Sequence, residues 1–364
     1  MRGLTVRGTR PIRAQRRRSR SSGWLRRSAL GLAIAALLPF GVSVAGVQGI
    51  EGTAQAAFNP DGFDFWVESS AGMGPIKNRI FRAADGNTSR VVYMLDGERA
   101  RDDLNGWEVD TNVSRALTAA NINVVMPIGG QSSWYADWNA PSTVAGVPAG
   151  TGSTTGSGAF DLFNGGPGKS YRYTWETFLT KDLRNALSGR LGFQTTRMGV
   201  VGLSMSGSAA LTLAAYYPDM FRYAGSFSGL LNLSAPGMRE AVRVAMLDAG
   251  GYNVDAMAPP WGPQWLRMDP FVSAPRLKAN NTRLWIAAAS GLPGAGDITG
   301  LMSIVQGMPI ETIAMINTRS FQVRMASLGY GNVTYDFPIL GVHNWKNWEN
   351  ELNRMLPDLS ANIG

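Results

Sequence analysis

Val200-Val201-Gly202-Leu203-Ser204-Met205-Ser206-Gly207-Ser208-Ala209-Ala210-Leu211 is the stretch on which the reading of this chain turns. Its apolar opening predicts a strand over 198–202, and its Ala/Leu-rich close predicts a helix over 206–217. Little but small residues separates the two, so the chain must pass from strand to helix at Ser204. A serine on so sharp a turn is presented at a strand end with a helix N-terminus beneath it, which is the layout of a nucleophile elbow. The usual pattern is Gly-x-Ser-x-Gly. Here the last position is Ser206, which is still small.

Outward from this segment, short runs rich in Val, Ile and aromatics alternate with helix-like segments. Strands are expected at 90–95, 123–127, 223–227, 283–288 and 333–337, and an amphipathic helix at 347–362. That alternation implies a mostly parallel sheet flanked by helices, and with the elbow it implies an α/β-hydrolase fold. Nothing from residue 58 to residue 364 reads as an interdomain linker, so one domain is expected. Residues 139–170, rich in Gly, Ser, Thr and Pro, read as a flexible surface loop, because such a composition buries little apolar surface.

The first 57 residues differ from the rest. Ten arginines and no acidic residue precede Ser28, an apolar run reaches about Val47, and small residues surround Ala54-Gln55-Ala56. This is the pattern of a removed export signal, with a membrane anchor as the alternative. The formal charge of +8 resides there: the remaining chain carries 24 basic and 25 acidic residues, which gives no basic case for nucleic acid. Cysteine is absent, so an exported chain of this kind is stabilised by its core and not by disulfides. With no Cys/His ligand cluster and no phosphate-cradling glycine motif, no metal or organic cofactor is expected.

By itself the Gly/Ser turn is equally compatible with an ordinary loop. The histidine count decides between the two. A serine nucleophile needs one imidazole, and His343 is the only histidine in the sequence. It lies in Gly341-Val342-His343-Asn344-Trp345, after the elbow and between the last expected strand and the last helix, where this fold carries its base. Between the strand around Trp285 and His343 stand three carboxylates: Asp297, Glu311 and Asp336. The pattern favours Asp297, in a Gly-rich loop soon after a strand. Glu311, at the expected start of a helix, comes second, and Asp336 falls inside a strand. The oxyanion hole would use the N–H of Met205 and, from the turn Asp96-Gly97-Glu98-Arg99, the N–H of Glu98.

Several blocks then identify a family. Leu95-Asp-Gly-Glu-Arg-Ala-Arg-Asp-Asp-Leu-Asn-Gly-Trp107, Val125-Met-Pro-Ile-Gly-Gly-Gln-Ser-Ser-Trp-Tyr-Ala-Asp-Trp138, Gly202-Leu-Ser-Met-Ser206, Ala249-Gly-Gly-Tyr252, Asn280-Asn-Thr-Arg-Leu-Trp285 and Gly341-Val-His-Asn-Trp345 resemble, in order, the mycolyltransferases of the antigen 85 group and its corynebacterial and rhodococcal relatives. The resemblance implies transfer of a mycolyl group from trehalose monomycolate, through a serine ester, to a second trehalose monomycolate or to arabinogalactan. It implies Ser204, Glu311 and His343 as the triad, so that Glu311 replaces Asp297. It also implies the amides of Glu98 and Met205 as the oxyanion hole, and Asp96, Arg99 and Trp345 at the trehalose end of the cleft. The chain departs from the family at Glu98, where leucine is common, and at Ala288, where cysteine is. A secreted, monomeric, envelope-associated enzyme is expected. A plain esterase on the same triad, or a cell-wall or host-matrix binding protein on a hydrolase scaffold, are the competing readings.

Overall fold

The computed structural model describes residues 58–143, 167–294, 297 and 301–364. The expected export signal and the centre of the Gly/Ser-rich loop lie outside them. That loop's described flanks are held: Asn139 and Ala140 donate backbone N–H groups to Met257 and Ala256, and the Ser142 N–H donates to Gly168.

Eight strands form one sheet: β1 (Phe63–Ser69), β2 (Gly74–Phe81), β3 (Val91–Leu95), β4 (Asn123–Pro127), β5 (Met198–Leu203), β6 (Phe221–Phe227), β7 (Arg283–Ala287) and β8 (Val333–Asp336), in the order β1-β2-β4-β3-β5-β6-β7-β8. From β4 to β8 all pairings are parallel; β1 and β2 pair antiparallel with each other, and β2 with β4. The six expected strands are all present, within two residues at either end. The β1–β2 hairpin is an addition that the sequence reading lacks. The helices that position the site are α1 (Gly106–Val109), α2 (Val113–Ala119), α3 (Arg184–Leu191), α4 (Met205–Tyr216), α5 (Met238–Gly250), α6 (Pro270–Ala279), α7 (Leu301–Ser327) and α8 (Trp345–Asn362).

β3, β4 and β5 are buried at every residue, as strands covered on both faces must be. Alternate side chains enter two cores. Val91, Tyr93, Leu95, Val125 and Val200 pack on the side of α3 to α7, with Leu187, Ala210, Val242, Leu277 and Phe321. Val92, Met94, Val124, Met126, Val201 and Leu203 pack on the side of α1, α2 and α8, with Trp107, Leu117, Leu352, Met355 and Leu359. The parallel strands therefore all end along one edge, the crevice where open α/β sheets bind ligands.

Candidate active site

Ser204 joins β5 to α4 at φ 51° and ψ −121°, a left-handed conformation that a residue with a side chain adopts only under constraint, at a cost of ~1–3 kcal/mol. Three contacts supply the constraint. The Ser204 N–H donates to Phe227 O at 2.8 Å, tying the turn to the end of β6. Gly202 sits so close to the first turn of α4 that a Cβ would lie 2.2 Å from Ser206 O. Ser206 does more than stay small. Its hydroxyl accepts the Leu203 N–H at 2.9 Å and lies 3.0 Å from both Leu203 O and Leu95 O, so its one proton joins the end of β3 to the elbow. A glycine at this position could not do so.

One residue beyond the Phe227 contact begins a buried carboxylate–imidazole pair. Ser228, also left-handed at φ 50°, follows β6, and its hydroxyl donates to Glu311 Oε1 at 2.8 Å. The Ala289 N–H, just past β7, donates to the same oxygen at 2.7 Å. Glu311 Oε2 lies 2.8 Å from His343 Nδ1. The carboxylate is fully buried, and its three partners come from three different segments. A carboxylate accepts, so Nδ1 carries the proton and Nε2 is left as the acceptor, the tautomer a general base requires. Trp348 closes the network. Its indole N–H donates to Ser228 Oγ at 3.0 Å, and its ring meets the imidazole edge-on with centroids 4.9 Å apart.

Of the three candidate acids, only Glu311 meets the imidazole in this structure. It lies well inside α7, not at the helix start the sequence suggested. Asp297 accepts from the Gly294 N–H at 2.7 Å and from Asn344 Nδ2 at 2.8 Å. Asn344 in turn caps α8 by accepting the Asn347 N–H at 2.9 Å, so Asp297 steadies the loop carrying His343 from the opposite side. Asp336 ends β8 and pairs with Arg354 at 2.5 Å.

The remaining expected residues lie along the β3 end of the same edge. Asp96 is 4% exposed, and its carboxylate is committed to the backbone: Oδ1 accepts the Gly97 N–H at 2.7 Å and Oδ2 the Gly106 N–H at 2.8 Å. Gly106 matters because a Cβ there would lie 2.1 Å from the Trp345 ring. Trp345 is half-buried and packs edge-on against Trp107 and Trp348. Arg99 is exposed and paired with Asp248. Burial pushes the Glu98 carboxyl up to about 7. Burial likewise pushes Asp96 up to about 6, against the pull of its two backbone donors. Ser228, Ala289 and Trp348 are neighbours of the Glu311–His343 pair that sequence reasoning missed; no single-sequence signal marks them.

A family described as putative esterase matches residues 74–359. The chain is similar to a diacylglycerol acyltransferase/mycolyltransferase Ag85B of Mycolicibacterium smegmatis, 38% identical over 352 residues, covering 94% of this chain and 97% of the relative. It is similar to an Ag85C of Mycobacterium avium, also 38% identical, over 75% of this chain and 71% of that one. Among solved structures, MPT51 of Mycobacterium tuberculosis superposes with a TM-score of 0.66 at 29% identity, over 83% of this chain and 99% of that chain. An S-formylglutathione hydrolase from Agrobacterium tumefaciens, at 16% identity and a TM-score of 0.54 over 85% and 99% of the two chains, shares the fold.

Proposed function

We propose a reaction course for this chain, which belongs to the antigen 85 mycolyltransferase family and is a serine acyltransferase on an α/β-hydrolase fold. The observation that carries the proposal is the buried Glu311–His343 pair at 2.8 Å, joined through Ser228 and Phe227 to a strained Ser204. Ser204 Oγ attacks the ester carbonyl of a trehalose mycolate while His343 Nε2 takes its proton. The N–H groups of Met205 and Glu98 receive the developing oxyanion, each contributing on the order of a hundredfold. Collapse breaks the bond to the sugar oxygen, which leaves with the proton from His343, and the mycolyl group remains as an ester on Ser204. A hydroxyl of a second trehalose monomycolate, deprotonated by His343, then displaces Ser204 and yields trehalose dimycolate. Arabinogalactan is the alternative acceptor.

Transfer outcompetes water only if the acceptor is held in place, and an oriented reactant gains an effective molarity of roughly 10⁵ M or more. Trp345, two residues past the base, and Arg99 are the side chains we assign to that task, with Asp96 acting through the Gly106 backbone against which Trp345 rests. Residues 1–57 fit a removed export signal and 58–364 the enzyme domain, a monomer working at the cell envelope; among the described residues no helix is long and apolar enough to cross a membrane.

The test is to give the purified protein trehalose monomycolate and excess trehalose. Trehalose dimycolate or re-formed monomycolate should dominate, and Trp345→Ala should shift products toward free mycolic acid while sparing acylation by a small activated ester. Mainly free acid from the wild type would make it a hydrolase. A protein that neither labels with a fluorophosphonate nor turns over would leave only a binding role.

A further inference from the structure

The turn that offers the Glu98 N–H is held from outside as well as by its own Ala100 N–H to Gly97 O bond. Asp96, at its start, donates its backbone N–H to the Tyr135 hydroxyl at 3.0 Å. Glu98 O accepts the Ser132 N–H at 3.0 Å, and Arg101 O accepts the Gly129 N–H at 2.8 Å. All three partners belong to residues 129–135, the loop that follows β4. The same loop reaches the other side of the proposed oxyanion hole, where the Trp134 N–H contacts Met205 Sδ at 3.1 Å.

This loop has an unusual backbone. Gly129 and Gly130 stand at φ 88° and 87°, and Ser132, Trp134 and Tyr135 at φ 53°, 55° and 46°. Left-handed residues with side chains persist only where their surroundings over-determine them, and they concentrate at functional sites. Tyr135 is 2% exposed, with its ring edge-on to Trp175 at 5.4 Å, so the hydroxyl is delivered to Asp96 by a side chain with no freedom to withdraw. Asp96 Oδ1 then takes the next N–H, that of Gly97. Two consecutive N–H groups are thereby engaged before the chain reaches Glu98.

We propose that Tyr135 is a positioning residue for the oxyanion hole: by holding the Asp96 backbone it fixes where the Glu98 N–H points, without touching substrate. This rests on the assignment of Glu98 as an oxyanion donor. Such a donor is useful only when its nitrogen stands at about 2.7–3.1 Å from the oxyanion, and small misplacements of catalytic groups cost up to a hundredfold in rate.

The experiment compares Tyr135→Phe with Tyr223→Phe, a control that deletes another buried hydroxyl, one bonded to Asp358 away from the carboxyl ends of the strands. Turnover of a short-chain activated ester is normalised to sites titrated with a fluorophosphonate, so that partial unfolding cannot pass for slow chemistry. Tyr135→Phe should lower kcat per site roughly tenfold with KM within twofold. It should also weaken inhibition by a boronic acid, whose tetrahedral adduct needs the oxyanion donors, by a similar factor. Tyr223→Phe should change neither. If Tyr135→Phe keeps kcat per site within twofold while Ser204→Ala is inactive, Tyr135 only packs and the proposal falls. If Ser204→Ala still turns over, the oxyanion assignment falls with it.

Discussion

Ser228→Ala tests the network behind the base, because this hydroxyl serves two buried partners at once. It donates to Glu311 Oε1 at 2.8 Å and accepts from Trp348 Nε1 at 3.0 Å. Deletion removes a hydrogen bond to a charged acceptor, which contributes about 1.5–3 kcal/mol, and orphans an indole N–H, which costs a further ~1–3 kcal/mol. Glu311 keeps the Ala289 N–H and His343, so the carboxylate is loosened and not abandoned. We therefore expect unfolding free energy to fall by about 3 kcal/mol in urea denaturation. Turnover should fall roughly tenfold, from a less firmly oriented imidazole. Trp348→Phe removes the indole donor first, so in that background Ser228→Ala should cost about 1 kcal/mol less, a coupling that a double-mutant cycle reads directly. A loss under 0.5 kcal/mol with unchanged turnover would mean that Ser228 merely fills space.

Ser204→Ala should abolish fluorophosphonate labelling and acyl transfer, and leave the thermal midpoint within a few degrees; labelling at the wild-type rate would refute the nucleophile. Glu311→Gln should lower kcat on the order of 10³-fold, and Asp297→Asn far less, as steady-state rates on an activated ester will tell. Gly202→Ala should prevent soluble expression or lower the midpoint sharply, since its Cβ would meet Ser206 O at 2.2 Å. Glu98 titrates near 7 in the fold against an ordinary value of 4.5. Its contribution to stability is therefore intact below pH 4.5 and lost as pH rises through about 7. Glu98→Gln should stabilise the protein on the order of 2 kcal/mol at pH 8 and little at pH 4.5, and denaturation curves at the two pH values check this.

The parallel strands were legible because burial on both faces forces continuous apolar runs such as Val91-Val92-Tyr93-Met94-Leu95. The β1–β2 hairpin was not. In Phe63-Asp64-Phe65-Trp66-Val67-Glu68-Ser69 the inner face carries Phe63, Phe65, Val67 and Ser69, but the outer face sets Trp66, 52% exposed, between Asp64 and Glu68, and the inner face ends on a polar residue, which blurs the period-2 signal of a half-buried strand. Ser204 and His343, the proposed nucleophile and base, stood out in the sequence for a different reason: one sits on a turn chemistry that leaves a local signature, and the other is the sequence's single histidine. Ser228, Ala289 and Trp348 come from three separate segments, and nothing in the spacing of those segments announces that they converge.

The third member of the site shows where position along the chain misleads. Asp297 has the better address, in a Gly-rich loop after a strand, yet the structure gives it a bond to Asn344 and gives the imidazole to a helical glutamate. Both carboxylates bear on the same short loop, Asp297 through the cap of α8 and Glu311 through the ring itself. In the proposed reaction a base that must swing neither toward nor away from Ser204 gains from restraint at both its backbone and its imidazole. The two acidic residues are thus complementary parts of one device: the loop acid sets where His343 sits, and the helix acid sets which nitrogen carries the proton.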